Sequence, residues 1–65
     1  MIALTKLSNA AFVVNADLIK FVESTPDTLV TLTTGERLLV KEPSEEVVRR
    51  VVQYGRLLRR LAEPS

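Results

Sequence analysis

Sixty-five residues with no cysteine and no histidine allow one small domain, and exclude a disulfide framework, thiolate or imidazole metal sites, the commonest catalytic base and a thiolate nucleophile. Hydrophobic residues make up 46% of the chain, yet none of its runs approaches the roughly 20 apolar residues that span a bilayer, and the N-terminal region lacks a basic stretch followed by an unbroken apolar one. A formal net charge of +1 favours neither nucleic acid nor acidic partners overall, and the chain reads as a cytosolic, non-enzymatic domain over 1–65.

Taken in chain order, the first forty residues read as short strands, all within 2–41. IALTKL (2–7) is rich in β-formers, SNAA (8–11) is a turn candidate and FVVN (12–15) resumes the β composition, which together predict a hairpin. NAD (15–17) punctuates the chain. LIKFVES (18–24) follows, with Ile19, Phe21 and Glu23 expected on one face and Lys20 and Val22 on the other. TPD (25–27) is a strong turn signal. In TLVTLT (28–33) alternation sets Thr28, Val30 and Leu32 against Leu29, Thr31 and Thr33, and Gly35, free to take positive φ, turns the chain into ERLLVK (36–41).

Pro43 and Ser44 mark the change from strand to helix, predicted over about 44–62. Ser44 suits the N-cap, Glu45 and Glu46 complement the positive end of the helix dipole, and Arg56, Arg59 and Arg60 lie towards the negative end. Apolar residues recur at spacings of four and three, giving the stripe Val47, Val51, Tyr54, Leu58 and Leu61, widened by Val48, Val52 and Leu57. That stripe is expected to cover the sheet and to meet a neighbouring subunit. Gly55 costs a helix interior about 1 kcal/mol and reads as a close-packing position against another helix or the sheet, with a small kink as the duller alternative. Glu63, Pro64 and Ser65 read as a frayed end.

The parts needed for catalysis are missing. The carboxylates Asp17, Glu23, Asp27, Glu36 and Glu42 scatter near turns and strand ends, and the only glycines, Gly35 and Gly55, cannot make a phosphate loop. No catalytic, cofactor or metal site is expected. Charge is unevenly spread instead: residues 1–43 carry a net −1 and residues 44–65 a net +2, with all five helical arginines in the second segment.

Arg49, Arg56 and Arg60, with Gln53, share one stripe, flanked by Arg50 and Arg59. Glu45–Arg49 and Glu46–Arg50 are i,i+4 pairs in the favourable orientation. The plain reading is a solvated face that keeps the helix soluble. The functional one is a docking surface for an acidic protein partner or for an acidic edge of another subunit, favoured by arginine's forked contacts with carboxylates. Nucleic acid is disfavoured because Tyr54 sits on the apolar stripe rather than among the arginines. Membrane binding is disfavoured because the thin β-layer needs the apolar face.

A chain this short buries a small fraction of its surface, and without disulfide or metal the remaining aid is self-association, so a homo-oligomer of unspecified order is expected. The fold expected is α+β: a strongly bent antiparallel sheet or small open barrel of about five strands, followed by one amphipathic helix at the subunit interface.

Several motifs together resemble the FlbD family of flagellar proteins. They are LTKL at 4–7, the pattern of Phe12, Asn15, Asp17 and Ile19, the ESTPDT segment at 23–28, TLTTGERLLVKE at 31–42 and EVVRRVVQY at 46–54. The resemblance covers about residues 1–54, and all its motifs are structural in type. One departure is Asn9-Ala10, where the family pattern has Asn-Gly; the first turn is then longer or of another type, and the register of its hairpin is open. No family role passes to Arg56, Arg59 or Arg60. The resemblance implies a cytoplasmic protein, peripheral at the flagellar motor, that supports swarming by raising motor power or torque through contacts with a stator or other motor component. Two alternatives stand beside it. One is a small RNA-binding regulator similar in layout to the carbon-storage regulators, for which Lys6, Arg37 and Lys41 are the basic candidates. The other is a purely structural oligomerisation module.

Overall fold

Five strands, a 3-10 turn and a C-terminal helix make up the described residues, 1–62, of the computed structural model, an α+β architecture. Positions 63–65, read above as a frayed end, lie outside them. β1 (Ile2–Thr5) pairs antiparallel with β2 (Ala11–Val14); β3 (Ile19–Ser24), β4 (Thr28–Leu32) and β5 (Arg37–Val40) form a three-stranded antiparallel meander; α1 spans Ser44–Ala62. An isolated bridge between Lys6 and Val40, with the Lys41 N–H donating to the Thr5 carbonyl at 2.8 Å, links β1 to β5 at one end. The expected bent layer is thus two sheets joined at a corner in the order β2–β1–β5–β4–β3, and it does not close into a barrel.

Two hairpins use the same turn. In the first, the Lys6 carbonyl accepts from Asn9 N–H and the Lys6 N–H donates to the Ala10 carbonyl, both at 2.9 Å, and Asn9 has φ +74°. In the β4–β5 hairpin, the Leu32 carbonyl accepts from Gly35 N–H at 2.9 Å, the Leu32 N–H donates to the Glu36 carbonyl at 2.8 Å, and Gly35 has φ +95°. Each loop has three residues and puts the last of them in the left-handed region, which glycine and asparagine tolerate best. Asn9-Ala10 is therefore part of a longer loop in which Asn9, not Ala10, occupies the demanding position. The register is set accordingly, with Ile2 opposite Val14 and Thr5 opposite Ala11.

Asn15 ends β2 and starts the 3-10 turn Ala16–Leu18: its side chain accepts from Asp17 N–H and its carbonyl from Leu18 N–H, both at 3.0 Å. The TPD turn contains a cis Thr25–Pro26 peptide. The core consists of Ile2, Leu4, Val14, Ala16, Val30, Leu32, Val40 and Val47.

β4 alternates as expected, with Thr28, Val30 and Leu32 inward, but β3 does not. An irregularity between Ile19 and Phe21 shifts the register by one residue, so Ile19 and Val22 both pack on the core and Phe21 turns out. An inserted residue reverses the parity of everything after it, which is why Ile19 and Phe21 do not share the face predicted for them.

α1 begins with Ser44 inside it rather than capping it, since the Pro43 carbonyl takes the N–H groups of Glu46 and Val47. The expected stripe divides in two. Val47 is fully buried and Val51 and Tyr54 rest on the core, whereas Leu58 and Leu61 are 41% and 74% exposed. The sheets end before the helix does. A helix of 19 residues is about 28 Å long, in a molecule measuring 43 × 22 × 18 Å. Its radius of gyration is 12.6 Å, against about 10.7 Å for a compact chain of this length. Gly55 does not pack closely on its own sheets: no neighbouring atom lies within 4 Å of where a Cβ would stand, and the helix runs through it unbroken.

Candidate functional site

The five arginines fall into two groups according to what surrounds them. Near the start of α1, Glu46 lies one turn before both Arg49 and Arg50 and binds both: its carboxylate accepts from Arg49 Nε at 2.9 Å and from Arg50 Nε at 2.7 Å. The expected Glu45–Arg49 pair is replaced by Glu46–Arg49, and Arg49 also reaches Gln53 at 3.0 Å. Hydrogen bonds from Arg49 and Arg50 lower the Glu46 pKa to about 2.

Arg50 reaches further. Its Nη1 donates to the Ala3 carbonyl at 2.6 Å and lies 3.4 Å from Glu42 Oε2, while Glu42 accepts from the Thr5 N–H at 2.9 Å and the Thr5 hydroxyl at 2.8 Å. These side chains occupy the edge of β1 beyond the bridge, where a strand neighbour would otherwise supply hydrogen bonds. Burial works against ionisation of Glu42, whose side chain is 12% exposed, but the Thr5 N–H and hydroxyl, its own N–H and Arg50 outweigh it and lower its pKa. Arg50 thus joins helix, connector and sheet. Sequence spacing showed only its helical partner Glu46; Ala3, Thr5 and Glu42 come to it through the fold, and no local pattern announces them.

Arg56 and Arg60 belong to the far half of the helix. There a groove of about 650 Å³ opens between the start of β1 and α1, with Met1, Tyr54 and Leu57 as apolar walls and Arg50, Arg56 and Arg60 around them. Arg56 has no acid one turn away in either direction. Arg59 is exposed on another side of the helix and does not line the groove. The sequence-predicted arginines are therefore split, with Arg49 and Arg50 held by Glu46 and Arg50, Arg56 and Arg60 gathered round an apolar cleft. Nothing in the sequence marks Met1 for this place, because only the fold brings the first residue to the helix.

The basic candidates for RNA contact are dispersed. Lys6 lies 5.7 Å from the centre of the Phe12 ring, and Arg37 and Lys41 belong to the interior strand β5 and its end, while the outer strands are β2 and β3. Among the described residues, no group of three or more Asp, Glu, His or Cys is placed to hold a metal ion, and no helix is long and apolar enough to cross a membrane.

A family model described as flagellar and swarming motility proteins, FlbD, matches residues 1–58. The match includes the Arg50 junction and the wall of the groove up to Leu57. No curated protein and no solved structure matches the chain.

Proposed function

The chain belongs to the FlbD family of flagellar and swarming motility proteins, and on that premise we propose that it raises the output of the flagellar motor by binding an acidic surface of a motor or stator component from the cytoplasmic side. It acts without catalysis, as an adaptor held at the motor's periphery. The groove between β1 and α1 carries this reading: an apolar lining of Met1, Tyr54 and Leu57 beside Arg56 and Arg60 suits a segment that offers one apolar side chain and nearby carboxylates. Arginine serves such a site because its planar fork pairs with carboxylate at two points.

The test is a strain lacking the gene, complemented with the wild type or with Arg56→Glu/Arg60→Glu. Loss of the gene should leave filaments assembled while reducing swarming and the torque of tethered cells. The double charge reversal should behave like the deletion at normal protein level. Normal torque in the deletion strain would refute the motor role, and full complementation by the reversed-charge variant would refute the groove as the contact. A gel-shift with total RNA at two salt concentrations separates the regulator alternative, because phosphate binding weakens steeply with salt.

A further inference from the structure

We propose that the outer flank of α1 is the interface of a symmetric dimer, in which the helices of two copies of this chain pack antiparallel with Val52 near the two-fold axis. At about 100° per residue, Val48, Val52, Gly55 and Arg59 share a stripe roughly a quarter turn from the core-facing Val47 and Val51. Most of the groove's helical lining, Arg50, Tyr54, Leu57 and Arg60, lies on another side of the helix, with Arg56 between the two faces. Val48 and Val52 are 49% and 45% exposed although they belong to the half of the helix that rests on the sheets. Beside them Gly55 leaves open space where a side chain would stand.

Charge identifies the occupant. Glu45 and Arg59 sit at opposite ends of this flank, separated by about 21 Å of helix. Glu45 forms no ion pair among the described residues. A parallel pairing would set Glu45 against Glu45 and Arg59 against Arg59. An antiparallel one centred on Val52 sets each Glu45 opposite Arg59 of the other copy, twice by symmetry, and brings Val48 to the space beside Gly55 of the other copy. No separate partner is needed to explain a flank complementary to itself.

The arrangement also gives one of the bare leucines a neighbour. Leu58, 41% exposed, continues the core-facing stripe past Val51 and Tyr54, and lies about a quarter turn from the proposed interface, so antiparallel packing brings it towards the sheets of the other copy.

Sedimentation equilibrium of the purified full chain, from low to high micromolar, tests the proposal, with circular dichroism to confirm that each variant is folded. The wild type should show a monomer–dimer equilibrium and Val52→Asp should be monomeric throughout. Glu45→Arg and Arg59→Glu should each weaken the dimer about tenfold, and the double variant should return to within about threefold of wild type. A wild type that stays monomeric, a trimer, a dimer unmoved by Val52→Asp, or a double variant no better than the singles would each overturn it. The readout is independent of motility, so failure of the motor reading leaves this result unchanged, and the reverse.

Discussion

Asn9 and Gly35 do the same work in two hairpins, and the difference between them is chemical. Both have positive φ, a region that costs an ordinary L-residue about 1–2 kcal/mol and that asparagine reaches more readily than most. Asn9→Gly should leave stability unchanged or raise it slightly, while Asn9→Val should lower it by about 1–2 kcal/mol; urea unfolding of the two variants measures both. The Glu42 junction makes a second prediction at this scale. Its carboxylate pKa is lowered in the fold, so the stability it contributes is present above its ordinary value of 4.5 and is lost as pH falls through the lower folded value. Glu42→Gln should therefore be less stable than wild type at neutral pH, by about 1–3 kcal/mol, with the gap narrowing as pH falls below 4.5. Denaturant midpoints measured from neutral pH down into the acid range would show that narrowing, and a constant gap would mean that the carboxylate's charge is not what holds β1 to the helix.

At the scale of elements, legibility followed locality. The helix from Ser44, the inward face of β4 and the Gly35 turn were readable because each depends on residues within a few positions of one another. Phe21 departs from its expected face because a bulge is a decision of the pairing, and the residues of β3 carry no mark of it. The apolar stripe of α1 was readable as a stripe but not as to what it covers: periodicity gives a direction round the helix, and where the sheets stop is set by the lengths of other elements. The arginines show the same division, since the Glu46 contacts are one turn away and the Glu42–Thr5–Ala3 cluster is reached only in three dimensions. Gly55 allows the helix to be tested by itself. With nothing beside it in its own chain, Gly55→Ala should stabilise the isolated fold by about 1 kcal/mol, yet weaken association because its methyl group occupies the space taken by Val48 of the other copy. Thermal unfolding at low concentration and sedimentation at high concentration should move in opposite directions.

For the whole molecule, the division of α1 into a held half and a projecting half sets how its stability is distributed. Amides near Val47, Val51 and Tyr54 belong to a helix packed on the core, and they open only when the core opens. The last two turns have no such support, for Leu57, Leu58 and Leu61 are exposed, and an unsupported helix end in water frays easily. Hydrogen exchange should therefore divide the helix near Gly55, with slow exchange before it and fast exchange after it, when the protein is dilute. Dimerisation packs the flank of these turns that carries Gly55 and Arg59 against the helix of another copy, so protection of residues 57–62 should rise with protein concentration while that of 47–54 changes little. Val52→Asp should abolish the concentration dependence and leave the slow amides of the first half in place. Equal protection of both halves at all concentrations would mean that the helix end is stable unaided, with no need of a second chain.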